Sequence, residues 1–121
     1  MAVIALNEDN FESTVLNGGI ALVDCWAPWC AACKPFAPIY EKVAARYPEN
    51  TFGKLDTRKE KSLVSALGVD HIPTLLLYRE GILLFRQPGY FEEEQLEDII
   101  RQAQSLDMDY VRAQIAAERD D

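Results

Sequence analysis

The sequence predicts an α/β fold of three layers, a central mixed sheet of about five strands flanked by helices. Three observations point to it. Strand-like and helix-like stretches alternate along the chain. The run Ile20-Ala-Leu-Val-Asp-Cys-Trp26 is nearly all apolar and bounded by Gly and Pro, as suits a strand buried on both faces. Near the end, Arg79-Glu80-Gly81 separates two apolar runs, a hairpin signal.

The elements follow in order. Residues 2–6 are apolar and partly β-branched and predict a short first strand. Asn7 to Leu16 reads as a helix with an Asn or Asp cap, Phe11, Val15 and Leu16 on one face, and Gly18-Gly19 as its stop. After strand Ile20–Trp26, the spacing turns helical from about Ala32 to Tyr47, with Phe36, Ile39, Tyr40, Val43, Ala44 and Tyr47 as its stripe. Pro38 lies inside that helix and is expected to kink it. Thr51 to Asp56 predicts a strand, and Glu60 to Leu67 a short helix closed by Gly68. Ile72 to Tyr78 and Ile82 to Arg86 form the hairpin, and Glu92 to Gln104 a helix with acids in its first turn. The order β-α-β-α-β-α-β-β-α implies a largely parallel sheet whose terminal hairpin supplies an antiparallel edge. Residues 1–105 make one domain. Residues 106–121 are a helical extension, with Val111 and Ile115 on one side and Met108 or Tyr110 beside them; Asp120-Asp121 is expected to fray.

Composition bounds the function. The chain has 121 residues, and its net charge is −8. An acidic surface repels phosphate backbones and anionic lipid, so neither nucleic acid nor membrane is an expected partner. No apolar stretch approaches the roughly 20 residues that span a bilayer, and the N-terminus has no basic, signal-like region. The expected location is the cytoplasm, and the expected state a monomer.

The three cysteines, Cys25, Cys30 and Cys33, cluster within nine residues. An odd, clustered set points to chemistry or metal before structural bridging. A closed zinc site needs four ligands; there is no second C-x-x-C and His71 is the only histidine. Cys30 and Cys33 stand three apart where a helix opens, so they can meet without backbone distortion. Helix N-terminal amides favour a Cys30 thiolate, which makes Cys30 the attacking sulfur. Cys33, one turn further in and more buried, then attacks Cys30 and releases the reduced target. Cys25 alternates away from Asp24 on its strand and reads as a small core hydrophobe. Asp24 stands in an otherwise apolar strand, where desolvation raises its pKa.

Trp29-Cys30-Ala31-Ala32-Cys33-Lys34, Val23-Asp24-Cys25-Trp26-Ala27, Lys54-Leu55-Asp56 and Ile72-Pro73-Thr74 resemble, in order, four motifs of the thioredoxin family. The likeness runs from about Val3 to Gln104. It implies the thioredoxin fold and protein thiol–disulfide oxidoreductase activity, with no bound cofactor. It implies disulfide-containing client proteins as partners and an NADPH flavoprotein reductase as electron donor. By the same likeness Asp24 relays the Cys33 proton and Lys54 pairs with that acid. Pro73 is cis, and Ile72, Pro73, Gly89 and the exposed Trp29 meet the client, whereas Trp26 packs. His71 reads as a loop histidine. The chain departs from the family at Ala31-Ala32, where the family has Gly-Pro. The missing proline relaxes the turn and is expected to move the potential toward the oxidising side, in a range from about −270 mV for thioredoxin to about −120 mV for a strong oxidant. Pro35 is a second departure, and the tail a third. The alternative class is a binding or chaperone module in which the cysteines are secondary; the joint presence of Cys30, Cys33, Asp24, Lys54 and Pro73 favours the enzyme.

Overall fold

The computed structural model describes residues 3–119. Its elements are β1 (Val3–Ala5), α1 (Phe11–Val15), β2 (Ile20–Trp26), α2 (Cys33–Arg46), β3 (Thr51–Asp56), α3 (Lys61–Leu67), β4 (Thr74–Arg79), β5 (Ile82–Pro88), α4 (Glu93–Ser105) and α5 (Met108–Arg119). Five strands form one mixed sheet in the order β1-β3-β2-β4-β5.

Strand β2 has the centre because it is the most apolar, and its alternation feeds both layers. Ile20 and Leu22 face a core with Phe36, Tyr40 and Val43 of α2 and Leu96 and Ile100 of α4. Ala21, Val23 and Cys25 face the other layer, with Phe11 and Val15 of α1 and the flank of α3. Leu22, Leu55, Leu76 and Leu77 are fully buried, each contributing about 2 kcal/mol from area removed from water.

The sheet is less parallel than the alternation of elements implies. β1 and β2 run parallel to β3, but β4 is antiparallel to β2 as well as to β5. The reason lies in α3. Its seven residues rise about 10 Å, half the length of a six-residue strand. The chain therefore does not return to the far end of the sheet. β4 starts where β3 finished, with Thr74 beside Cys25 and Asp56 beside Trp26.

Helix α1 is shorter than its sequence pattern. The Asn7 side chain accepts the amides of Asp9 and Asn10, while Asn10 accepts the amide of Asn7 and donates to the Ala5 carbonyl. These local bonds hold residues 7–10 in a turn that competes with the helix. Leu16, just beyond its end, faces solvent instead of the core. Pro38 lies inside α2 without ending it. The hairpin turn needs positive φ at both central residues, and Glu80 (54°) and Gly81 (77°) supply it.

In the extension, Met108 is buried, Val111 and Ile115 are half-buried and Tyr110 is exposed, so Met108 joins the inner face. The Arg79 guanidinium donates to the carbonyls of Ala103, Gln104 and Leu106 at the end of α4, where carbonyls lack the helix's own amides. Arg112 pairs with Glu80 and so ties α5 to the hairpin turn. The expected fraying at Asp120-Asp121 lies outside the described residues. No helix among the described residues is long and apolar enough to cross a membrane.

Candidate active site

The site forms at the carboxyl ends of β2 and β3. Strand β2 delivers Asp24 and Trp26, a tight turn closes with the Cys30 amide on the Ala27 carbonyl (3.1 Å), and α2 opens at Cys33. Cys30 and Cys33 are joined in a disulfide with Cα atoms 5.3 Å apart. The Cys33 amide donates to the Cys30 sulfur at 3.2 Å. Cys30 therefore lies at the positive end of α2, where amides and dipole favour negative charge. Both sulfurs belong to buried residues, Cys33 at 5% exposure and Cys30 at 8%. Ala27, Trp26 and Ile72 pack around them.

Asp24 is buried on the α2 face of the sheet, and desolvation pushes its pKa up to about 7 against a smaller, opposing effect of the Lys54 charge. One of its carboxylate oxygens, Oδ1, is buried with no hydrogen-bond partner, and so is the Trp26 indole nitrogen. A cleft of about 110 Å³ is lined by Asp24, Trp26, Cys33, Ala37 and Lys54. That is room for a few waters, each with polar partners to satisfy. Lys54 lies opposite Asp24 in the strand register, but its Nζ sits 5.9 Å over the Trp26 ring, and no ion pair joins it to Asp24 among the described residues.

The peptide before Pro73 is cis. The Gly89 amide donates to the Pro73 carbonyl at 2.8 Å, which places β5's end beside that loop. Gly89 has φ 123°, a conformation side-chain-bearing residues rarely adopt. Trp29 is 66% exposed. His71 is exposed in its loop, where its carbonyl accepts the Thr74 hydroxyl.

Cys25 points to the opposite layer, and burial, with Asp24 next, pushes its thiol up to about 12. Two neighbours of the site were not singled out by sequence reasoning. Ala37 lines the cleft, and Tyr40, wholly buried, donates its hydroxyl to the Gly53 carbonyl at 2.8 Å. Both lie on the Cys33 face of α2, four and seven residues on, so helical spacing from Cys33 was the available signal.

A cysteine pair at a helix start, over a buried carboxyl and beside a cis-proline loop on a five-stranded mixed sheet, defines a dithiol–disulfide exchange protein. The thioredoxin family model matches residues 2–102. Over 118 residues the chain is 43% identical to the "Putative thioredoxin 2" of Streptomyces coelicolor, covering 98% of this chain and 88% of that protein. It is 35% identical over 102 residues to the thioredoxin of Haemophilus influenzae (83% and 95%) and 33% identical over 101 residues to that of Staphylococcus saprophyticus (83% and 96%). The chain belongs to the thioredoxin family and is a protein-disulfide oxidoreductase, a class that needs no bound cofactor.

Proposed function

We propose that this protein reduces disulfides in client proteins, with Cys30 as the attacking and Cys33 as the resolving sulfur. The Cys30 thiolate attacks one sulfur of the client disulfide; that bond breaks, and a mixed disulfide forms while the freed client sulfur takes a proton. Cys33 loses its proton to Asp24, attacks the Cys30 sulfur and expels the second client thiolate. Two electrons pass to the client, and Cys30–Cys33 becomes a disulfide. The observation that carries this reading is the 3.2 Å contact from the Cys33 amide to the Cys30 sulfur at the start of α2. The cleft shared by Asp24 and Cys33 supports Asp24 as the base, since its pKa of about 7 suits proton transfer near neutrality. Lys54 modulates that carboxyl by its charge.

In this reading Trp29, Ile72, Pro73 and Gly89 border the client groove. An extended client strand adds along the Pro73 loop backbone. An NADPH flavoprotein reductase returns the electrons, so the protein works in electron transport and redox homeostasis, in the cytoplasm, as a monomer. Residues 1–105 are the redox domain and residues 106–121 an appended extension.

The test supplies NADPH, a thioredoxin-reductase flavoprotein and a disulfide-containing client, and follows NADPH absorbance. Consumption should require the protein, vanish in Cys30→Ser, and give way in Cys33→Ser to a covalent adduct visible by mass. Full turnover by Cys30→Ser would sink the assignment.

A further inference from the structure

Trp26 and Lys54 wall two openings. One is the cleft that holds Cys33 and Asp24. The other is a pocket of about 340 Å³ whose lining includes Trp26, Lys54, Asp56, Arg58, Lys59 and Glu60. We propose that this pocket is a carboxylate-binding subsite, formed by Lys54, Arg58 and Lys59, which selects client segments that carry Asp or Glu close to the attacked disulfide. The proposal rests on the reading of Cys30 as the attacking sulfur.

The charge distribution supports it. Between residues 54 and 61 four cations stand against two acids, in a chain whose net charge is −8. The two acids are Asp56 and Glu60, and both line the pocket. Asp56 is engaged within its own loop. One of its oxygens accepts the amides of Arg58 (2.9 Å) and Lys59 (3.4 Å), and the other faces the Arg58 guanidinium at 3.6 Å. Glu60 is the remaining opposing charge. Among the described residues Lys54 and Lys59 have no carboxylate within ion-pair distance, and Lys54, Arg58 and Lys59 are all exposed. Two lysines without carboxylate partners, beside Arg58 on an acidic molecule, attract anionic groups to that spot and away from the rest of the surface.

The loop is also held to the active site. Thr57 donates its amide (2.9 Å) and its hydroxyl (3.0 Å) to the Trp26 carbonyl. Arg58 and Lys59 follow directly, so their backbone position is fixed relative to the strand that leads into Ala27–Cys30. A guanidinium beside two ammonium groups suits a carboxylate, and the indole of Trp26 supplies an apolar floor beside them.

Three peptides test this, each closed by one internal disulfide and alike except for flanking residues, which are Glu, Gln or Lys. Stopped-flow mixing with the reduced full-length protein gives second-order rates. At low salt the Glu-flanked peptide should react about tenfold faster than the Lys-flanked one, with Gln between. The ratio should shrink in roughly 0.5 M salt. The double variant Arg58→Glu with Lys59→Glu should invert the order and leave the Gln-flanked rate unchanged, which shows that the thiol chemistry is intact. An unchanged order in that variant, or equal slowing of all three peptides, overturns the subsite. If wild-type protein reduces none of them, the Cys30 reading itself fails and the subsite with it.

Discussion

Asp24 and Lys54 are cross-strand partners that do not form an ion pair: the ammonium group lies over the Trp26 ring, 5.9 Å from its centroid, and the Asp24 carboxyl keeps one buried oxygen unpaired. The carboxyl is consequently governed by desolvation, with the lysine as a weaker, opposing influence. Its pKa of about 7, against an ordinary 3.8, means that the folded state holds a proton the unfolded chain releases. The contribution to stability is neutral below about pH 4 and turns increasingly unfavourable as pH rises toward 7. Asp24→Asn should therefore stabilise the protein at pH 8 by on the order of 4 kcal/mol and have little effect at pH 3.5. Denaturant midpoints of both proteins across that range check it; equal differences at the two pH values would contradict it.

Removing the lysine charge should push the Asp24 carboxyl further up, because Lys54 lowers it. At pH 7 less of the carboxyl is then ionised for the proposed transfer of the Cys33 proton. In Lys54→Gln the step that releases client from the mixed disulfide should slow roughly threefold at pH 7, and its pH profile should move to higher pH. Rapid-quench trapping of the mixed disulfide at several pH values reads this. A lower rate with an unmoved profile would assign Lys54 another role.

At position 32 the backbone already has φ −73°, which a proline ring accepts. Ala32→Pro should fold normally and restore the stiff turn between the sulfurs. The reduction potential should become more negative by on the order of 30 mV, a tenfold change in the equilibrium with glutathione. Equilibration in graded glutathione buffers with mass counting of alkylated thiols measures it. A potential that stays put or rises would separate the Ala31-Ala32 dipeptide from redox tuning.

Cys25 is fully buried, and its thiol is pushed up to about 12. With Cys30 and Cys33 oxidised, the native protein should react with no equivalent of a thiol reagent at pH 8 and with one equivalent after denaturation. Rapid labelling of native oxidised protein would place Cys25 nearer the surface.

The extension should be separable from the chemistry. α5 meets the body through Met108, the half-buried Val111 and Ile115, and the Arg112–Glu80 pair. An exposed ion pair, screened by solvent, contributes little. Arg112→Gln should leave client reduction unchanged within a factor of two and change the melting temperature little. A large loss of client reduction would make α5 part of the site.

The sequence pattern and the structure part company at a few places, each for its own physical reason. Asn7 and Asn10 carry side chains that bond to nearby backbone, and helical periodicity does not register that competition, so α1 begins at Phe11. The strand containing Thr74 to Tyr78 is evident from its apolar run, yet its direction is not, because apolar patterning is the same read either way. Asp24 stands out as an acid in an apolar run, whereas Ala37 and Tyr40 blend into the stripe of α2 and acquire meaning only beside it.

By itself the sequence determined the elements and most of their order, the Cys30–Cys33 pair at the opening of a helix, and the opposite facing of Asp24 and Cys25. These are consequences of local propensity and of periods of 2 and 3.6 residues, which act over a few residues. The tertiary structure alone decided that β4 runs antiparallel to β2, that Gly89 meets Pro73, that Lys54 lies over Trp26, and that one cleft joins Cys33 to Asp24. Those relationships join residues on different elements of the fold. They follow from which faces pack together and how far each connection reaches, and local periodicity carries no information about either.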